Sequence, residues 1–519
     1  MLKCFFKLKS FISFFLIILL VAFLITVGTN ISVSAKSSAA SSKVDKVVFA
    51  LITFNNIPDD YSFVEKAVND VLRKKANVEI DLQLYGPSEY SQRVNLNLSS
   101  GAQMDLFLPD LGQFPYFVTK NAAYPLENLI KKYGQDLKKK LDEDFGPDWM
   151  KAVTMKGHVY AVPVNKAFAI PATWIYNADM LKETGISPDQ VKSIEDLDKV
   201  FRAVKQKHPD VVPFGPINVN PSDTGLIWYL RCRYRIDFLT DSTGVGVLIG
   251  NSNKVVNLYE TNEFKYGVKI MRDWYKKGYI QKDAATTTTG QPVLVSTGRG
   301  FSFMGGYSGK EIGKVFSAQW GKNIGSKRIA PPYTDYFDTR AVNQVVWMIN
   351  KRSKVPEAAM KFLNILYTDK YILNTLLYGI EGTCYVKVDE HHVTFPKGKT
   401  AADVPYTAHL CSGVLGSESL QYQLGNVSWE DVLFRIKENK TTPRSPYFGF
   451  IFDPEKVRTE ISTVNNVINR YLPALVCGSV DPDTTIPQFI NALKRAGADK
   501  IIKEKQLQLN QWISENKKK

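Results

Sequence analysis

With 519 residues, 44% hydrophobic and 23% charged, the chain exceeds one ordinary domain and has a globular composition, which excludes a disordered or fibrous protein. Its formal net charge of +15 contains no run of five like charges, so it reads as dispersed over a surface and not gathered into a nucleic-acid-binding tail. The cysteines are few and widely spaced with no CxxC, and the adjacent pair His391-His392 lacks the i, i+4 spacing of two ligands on one helix face, so no metal motif is present.

The first stretch reads as an export leader. Lys3, Lys7 and Lys9 precede an apolar run from Phe11 to Val27, and Val33-Ser34-Ala35 offers a small-x-small cleavage site. Residues 1–35 are expected to be a signal peptide or an uncleaved anchor, and residues 36–45 a flexible tether. In both cases the bulk of the chain is exported, to the outer face of the membrane or beyond it. Loss of the three lysines takes the formal charge from +15 to +12. Cys4 falls in the leader; Cys232, Cys384, Cys411 and Cys477 read as buried thiols, with pairing left open.

Beyond the leader, strand and helix patterns alternate. Lys46–Phe54 is an apolar, β-prone run. Ser62–Ala76 carries Phe63, Val64, Ala67, Val68, Val71 and Leu72 at helical period, and Val78, Ile80, Leu82 and Leu84 then alternate as a strand. This is a βαβ unit with a parallel sheet. A helix is expected over Ser88–Leu98 and a short strand over Asp105–Leu108. In open α/β sheets ligands sit beyond the carboxyl ends of strands, which singles out the loops 55–60 and 109–114.

Lys151–Asn177 breaks the pattern. An apolar run, Val159–Val164, and a second, Phe168–Tyr176, flank a polar step, with Pro163 and Pro171 favouring edges and bends over a central strand. The expectation is a crossover between two lobes with the site between them. Helices are then predicted over Asn177–Thr184, Ile194–Lys207 and Phe264–Lys277, with strands at Asp210–Phe214, Val293–Thr297 and Gly300–Met304. Asn343–Asn350 (NQVVWMIN) is read as a second crossover, running into a helix that begins at Pro356. The C-terminal helices are predicted over Val457–Tyr471, Ile486–Ala496 and Asp499–Ile513.

Three blocks carry a family likeness. HVYAVPVNKAFAIPATWIYNADMLKETGI (His158–Ile186) and WMINKRSKVPEAAMKFLNILYTDK (Trp347–Lys370) resemble paired blocks of the extracellular solute-binding proteins of ABC importers, sugar-type family 1. LYGIEG (Leu377–Gly382), GFIFDPEKVRTEI (Gly449–Ile461) and AGADKIIKEKQLQLNQW (Ala496–Trp512) resemble the lipoprotein-type members found in Gram-positive bacteria. The chain departs from those members in having no cysteine between Val21 and Lys46, so a lipid anchor there is in doubt.

The resemblance implies an α/β, two-lobed periplasmic-binding-protein type II fold with hinge crossover strands and a helical C-terminal region. Lobe 1 is expected to comprise residues 46–169 with about 350–435, and lobe 2 residues 170–345 with about 436–519. Within Lys151–Asn177 the likeness assigns Ile170–Tyr176 as the hinge strand. It also implies a monomer that captures an oligosaccharide or another polar solute and delivers it to a pair of membrane permeases, with no cofactor, no metal and no nucleic acid.

A sugar site needs aromatic faces for pyranose rings and planar amides or carboxylates for hydroxyls. Trp174, Trp347 and Phe168, in or beside the crossovers, are the aromatic candidates, each equally readable as core. Tyr307, in a turn with three glycines, is another. Asp110, Gln113, Asn55 and Asn56 occupy the strand-end loops, where capping and turn chemistry compete with ligand contact. Glu381 is a candidate carboxylate or a turn residue, and Arg340 a partner for an acidic sugar or one half of a surface salt bridge. The enzymatic alternative is a polysaccharide lyase working with Tyr and Arg or Lys. No nucleophile elbow or paired-carboxylate signature supports a hydrolase, and a non-transport sugar adhesin is the remaining alternative.

Overall fold

Strand β1 (Asp45–Ile52) leads through helix α1 (Ser62–Ala76) to strand β2 (Val78–Tyr85), which pairs with β1 in parallel, Asp45 opposite Val78. Helix α1 buries Val64, Val68 and Leu72 at helical spacing and stops where Asn77 turns left-handed. Asn69 clips the helix to β2, its amide donating to the Ile80 carbonyl at 2.9 Å and accepting from the Ile80 N–H at 2.7 Å. Helix α2 (Pro87–Ser100) returns the chain to strand β3 (Leu106–Phe107). The structure is a computed structural model and describes residues 43–516 apart from 110–111, 216–224, 288, 330–336 and 409–412. The leader, most of the tether, Asp110 and Cys411 lie outside the described residues.

Helix α3 (Phe114–Thr119) follows, and strand β4 (Val162–Pro163) is the last piece of the first lobe before the crossover. Strand β5 (Ala172–Asn177), buried along its whole length, enters the second lobe. There it is joined by β6 (Val212–Phe214), helix α4 (Gly225–Tyr234), β7 (Gly300–Gly306) and β8 (Ile324–Arg328) in a sheet of order β8-β5-β7-β6. β5 runs antiparallel to both of its neighbours, and β6 pairs in parallel with β7. The predicted strand Val293–Thr297 is instead part of a helix, Gln291–Ser296, because Pro292 at its first turn favours helix entry.

The chain then re-enters the first lobe. Helix α5 (Thr339–Asn343) precedes strand β9 (Val346–Ile349), which lies in the first sheet between β3 and β4, in the order β2-β1-β3-β9-β4. Asn343–Asn350 is therefore an interior strand and not a crossover. Phe337, Ala341 and Val342 already pack in the first core. A fully buried strand and a hinge strand share the same apolar signature, which is why the sequence misplaced it. Helix α6 (Pro356–Leu366) covers this sheet, and α7 (Trp429–Thr441) leads to the third passage.

The second core is completed by helices α8 (Arg458–Val476), α9 (Pro482–Arg495) and α10 (Ala498–Asn516). Helix α10 is pinned to the second lobe by Lys505, which is fully buried. Its ammonium donates to the carbonyls of Val245 and Gly246, both at 2.9 Å, and pairs with Asp241 at 2.9 Å. No helix among the described residues is long and apolar enough to cross a membrane. Cys232, Cys384 and Cys477 are buried.

Candidate functional site

Three passages of the chain link the two cores. In the first, Asn165–Pro171 has only a single bridge, Asn165 to Ser417, and side chains satisfy part of the backbone beyond it. The Ala167 N–H donates to Glu418 at 3.0 Å, the Phe168 N–H to Asn439 at 2.8 Å, and the Asn439 amide to the Lys166 carbonyl at 2.9 Å. The second and third passages lie side by side: Phe337 and Arg444 form a parallel bridge, and the Ser445 N–H donates to the Phe337 carbonyl at 2.9 Å. Asp338 caps α5 through the Ala341 N–H and pairs with Arg231 of α4 at 2.8 Å. Asp237 of the second lobe accepts from the Ser445 hydroxyl, so second-lobe side chains hold both passages.

Around these passages the loops of both lobes converge. Gly112, in the loop beyond β3, adopts φ +76°, and its N–H donates to the Gln344 carbonyl at 3.4 Å. A Cβ there would stand 3.3 Å from Arg340 Nε, so the backbone of this loop closes directly on the guanidinium. Arg340 is 6% exposed, its Nε has no hydrogen-bond partner, and no ion pair reaches its side chain among the described residues. The surface salt bridge expected as one alternative is absent there. Gln113 is exposed in the same loop.

From Asp338 the contacts pass to Arg231, whose guanidinium lies 4.9 Å from the centre of the Trp228 ring. Trp228 is half-buried; its Nε1 donates to the Ile170 carbonyl at 3.1 Å, and its ring fills the space beside Gly306, where a Cβ would come within 2.2 Å. The next residue is Tyr307, whose N–H donates to the Pro171 carbonyl at 3.3 Å. Its half-buried ring meets Phe316 edge-on at 5.5 Å, and burial pushes its phenol up to about 12. Contacts thus run from Asp338 through Arg231 to Trp228, and Trp228 and Tyr307 both bond to the first passage. Burial also draws the ammonium of Lys166 downward, with Glu418 opposing the shift.

The other aromatic candidates are in the cores. Trp174 is fully buried, stacked on Tyr176 at 4.2 Å, and Trp347 is fully buried against Phe49 at 4.9 Å with its Nε1 donating to the Val414 carbonyl. Phe168 is buried edge-on to Phe145 at 5.2 Å. A ring enclosed in this way presents no face to solvent, and these three side chains pack in the cores, the alternative the sequence left open for each. Glu381 is exposed and pairs with Lys387 at 2.8 Å beside its bridge to Tyr385, away from the passages in sequence and contacts alike.

Asn55 and Asn56 are exposed at the carboxyl end of β1, with the Asn55 amide donating to the Ala408 carbonyl at 3.4 Å. The same loop presents Phe54, 57% exposed, and Ile57, apolar residues that the sequence reading passed over. Trp228 was also missed. Its helix, GLIWYLRCRY, has no marker distinguishing that ring from the buried ones, and only the glycine opposite reveals its place. Among the described residues no cluster of His, Cys, Asp and Glu is arranged to hold a metal ion.

Two α/β lobes joined by three adjacent passages, with polar and aromatic side chains where the passages meet, define a ligand-clasping protein. The description "Bacterial extracellular solute-binding protein" matches residues 55–372, and the chain belongs to that family. Residues 446–514 also match a domain of unknown function, DUF3502. The chain is 31% identical over 498 residues to a carbohydrate ABC transporter substrate-binding protein of Streptococcus pneumoniae, covering 94% of this chain and 95% of that one. It is 28% identical to the crystal structure of the N-glycan transport solute-binding protein NgtS from S. pneumoniae, with a TM-score of 0.77 over 91% of this chain and 99% of that one. Against NgtS in complex with Man5GlcNAc the TM-score is 0.70, over the same shares of the two chains.

Proposed function

We propose that this chain is the extracellular substrate-binding subunit of an ABC importer, that it captures an oligosaccharide between its two lobes, and that as a monomer it delivers that ligand to a membrane permease pair. The observation that carries the reading is that Trp228 and Tyr307, both half-buried, hydrogen-bond to the Ile170 and Pro171 carbonyls of the first passage, with Arg340 buried three residues beyond the second-passage residue Phe337. Gln113 and the exposed loop with Phe54, Asn55 and Asn56 are further candidates for ligand contact. The carbohydrate transport named for the 31% identical relative, and the mannosyl-GlcNAc glycans named for NgtS, support a sugar ligand.

Mechanically, a few residues at the ends of elements absorb the backbone change of closure. The irregular segment Asn165–Pro171 and the segments bridged at Phe337 and Arg444 are suited to that role. A ligand shifts the balance toward the closed form by contacts that exist only there. Calorimetry with Man5GlcNAc and a panel of host and plant oligosaccharides, with chromatography of the ligand afterwards, tests the reading. Saturable binding with the ligand recovered intact is expected. A shortened or unsaturated product would replace the reading with a lyase or hydrolase.

A further inference from the structure

Arginines seldom lie buried without a counter-charge, and this protein shows the rule at its other buried cations. Arg231 pairs with Asp338, Arg435 with both Asp431 and Glu418 at 2.6 Å, and Lys505 with Asp241. Arg340 is as buried as Arg231, both 6% exposed, yet has no such partner among the described residues. The nearest acidic residue in sequence, Asp338, is already engaged by Arg231 and by the cap of α5. A buried guanidinium left unmatched is costly, and the cost is removed when a ligand brings the missing charge.

Its surroundings fit that role. Arg340 lies beside the loop at the carboxyl end of β3, the position where open α/β sheets receive ligands. Gly112 contributes no side chain there, so its own backbone lies close to the guanidinium. A neutral diol would satisfy some of the N–H groups but leave the charge buried, whereas a carboxylate matches both the fork and the charge.

Resting on the oligosaccharide-binding reading above, we infer that the preferred ligand carries a sugar carboxylate, and that Arg340 is the residue that pairs with it. The net positive charge of the chain favours the encounter with such a ligand. Two chemical sources share that group: a uronic acid within the chain of sugars and a sialic acid at its end.

The test is calorimetry of the full protein with two matched pairs, an oligogalacturonide beside its carboxyl-reduced form and a sialylated lactosamine beside lactosamine, together with neutral Man5GlcNAc. In at least one pair the acidic member is expected to bind roughly tenfold or more tightly than its neutral partner, the gain of a hydrogen bond to a charged group. The pair that responds identifies the source. Arg340→Gln is expected to bring that ratio close to one, and Arg340→Lys to leave part of it, since lysine keeps the charge but not the fork.

Arg340→Met gives an independent reading without ligand. Removing an unmatched buried charge is expected to raise the melting temperature of the free protein, and a fall would overturn the inference by revealing a structural partner. Binding of Man5GlcNAc with no acidic preference in either pair overturns this inference and leaves the transport reading intact. Failure of every oligosaccharide to bind overturns both.

Discussion

Trp174 and Trp228 divide between them the two uses of a tryptophan. Trp174 is enclosed by Tyr176 and Phe301, so Trp174→Ala is expected to cost about 3–5 kcal/mol of stability, the range for deleting a large core aromatic. Trp228 is half-buried between the first passage and the Tyr307 turn. Trp228→Ala is expected to weaken oligosaccharide binding more than it lowers the melting temperature, and the two measured together separate the roles. Binding that survives Trp228→Ala unchanged would remove that ring from the site.

At the same scale, Asp237 makes stability depend on pH. Burial first, and the carboxylate of Asp338 second, push its carboxyl up to about 7, against the hydrogen bonds from Ser445 and Leu239 and the charge of Arg231. Tyr447 and Lys505 also feel its charge. The native form then holds a proton that the unfolded chain releases near pH 4. Between about pH 4 and about pH 7 the native state binds more protons than the unfolded one, so this site lowers stability as pH rises through that window. Denaturant titrations at several pH values are expected to show a shallower fall in Asp237→Asn.

Among the elements, the C-terminal helix and the end of β7 are each set by one contact. Lys505 holds α10 against the Val245–Gly246 carbonyls, so Lys505→Met strands Asp241 without its cation and is expected to cost about 3–5 kcal/mol. Lys505→Met with Asp241→Asn should recover part of that loss in chemical denaturation. The end of β7 depends on Gly306, whose missing side chain admits the Trp228 ring. Gly306→Ala is expected to cost about 1–3 kcal/mol through overpacking and to weaken ligand binding as the ring is displaced.

For the whole molecule the prediction is closure. If the three passages act as one hinge, a bound oligosaccharide draws the lobes together, and the radius of gyration in solution scattering should fall on saturation. The same ligand stabilises the native state by mass action, about 2.7 kcal/mol at a hundredfold excess over Kd, seen as a concentration-dependent melting temperature. A ligand that raises the melting temperature without compacting the particle would place its site on one lobe alone.

Local pattern was sufficient to reveal the alternation of strands and helices. Ser62–Ala76 was legible because its apolar residues recur at helical period, and Val78–Tyr85 because they alternate. The blocks His158–Ile186 and Trp347–Lys370 were sufficient to indicate the family. Which buried strand crosses between lobes was beyond such patterns: β9 and β5 are both buried throughout, and only their sheet partners separate them. Trp174, Trp347 and Phe168 could not be told from ligand-facing rings for the same reason. A tryptophan has one signature in sequence whether its ring faces a ligand or a core, and burial depends on residues a hundred positions away. Alternating patterns and the family likeness together were enough to predict two α/β lobes and a protein of solute-binding type. Only the fold in three dimensions reveals that Trp174, Trp347 and Phe168 pack inside, that Trp228 stands beside the first passage, and that Arg340 lies buried with no ion-pair partner among the described residues, because charge matching and exposure are properties of contacts between distant segments.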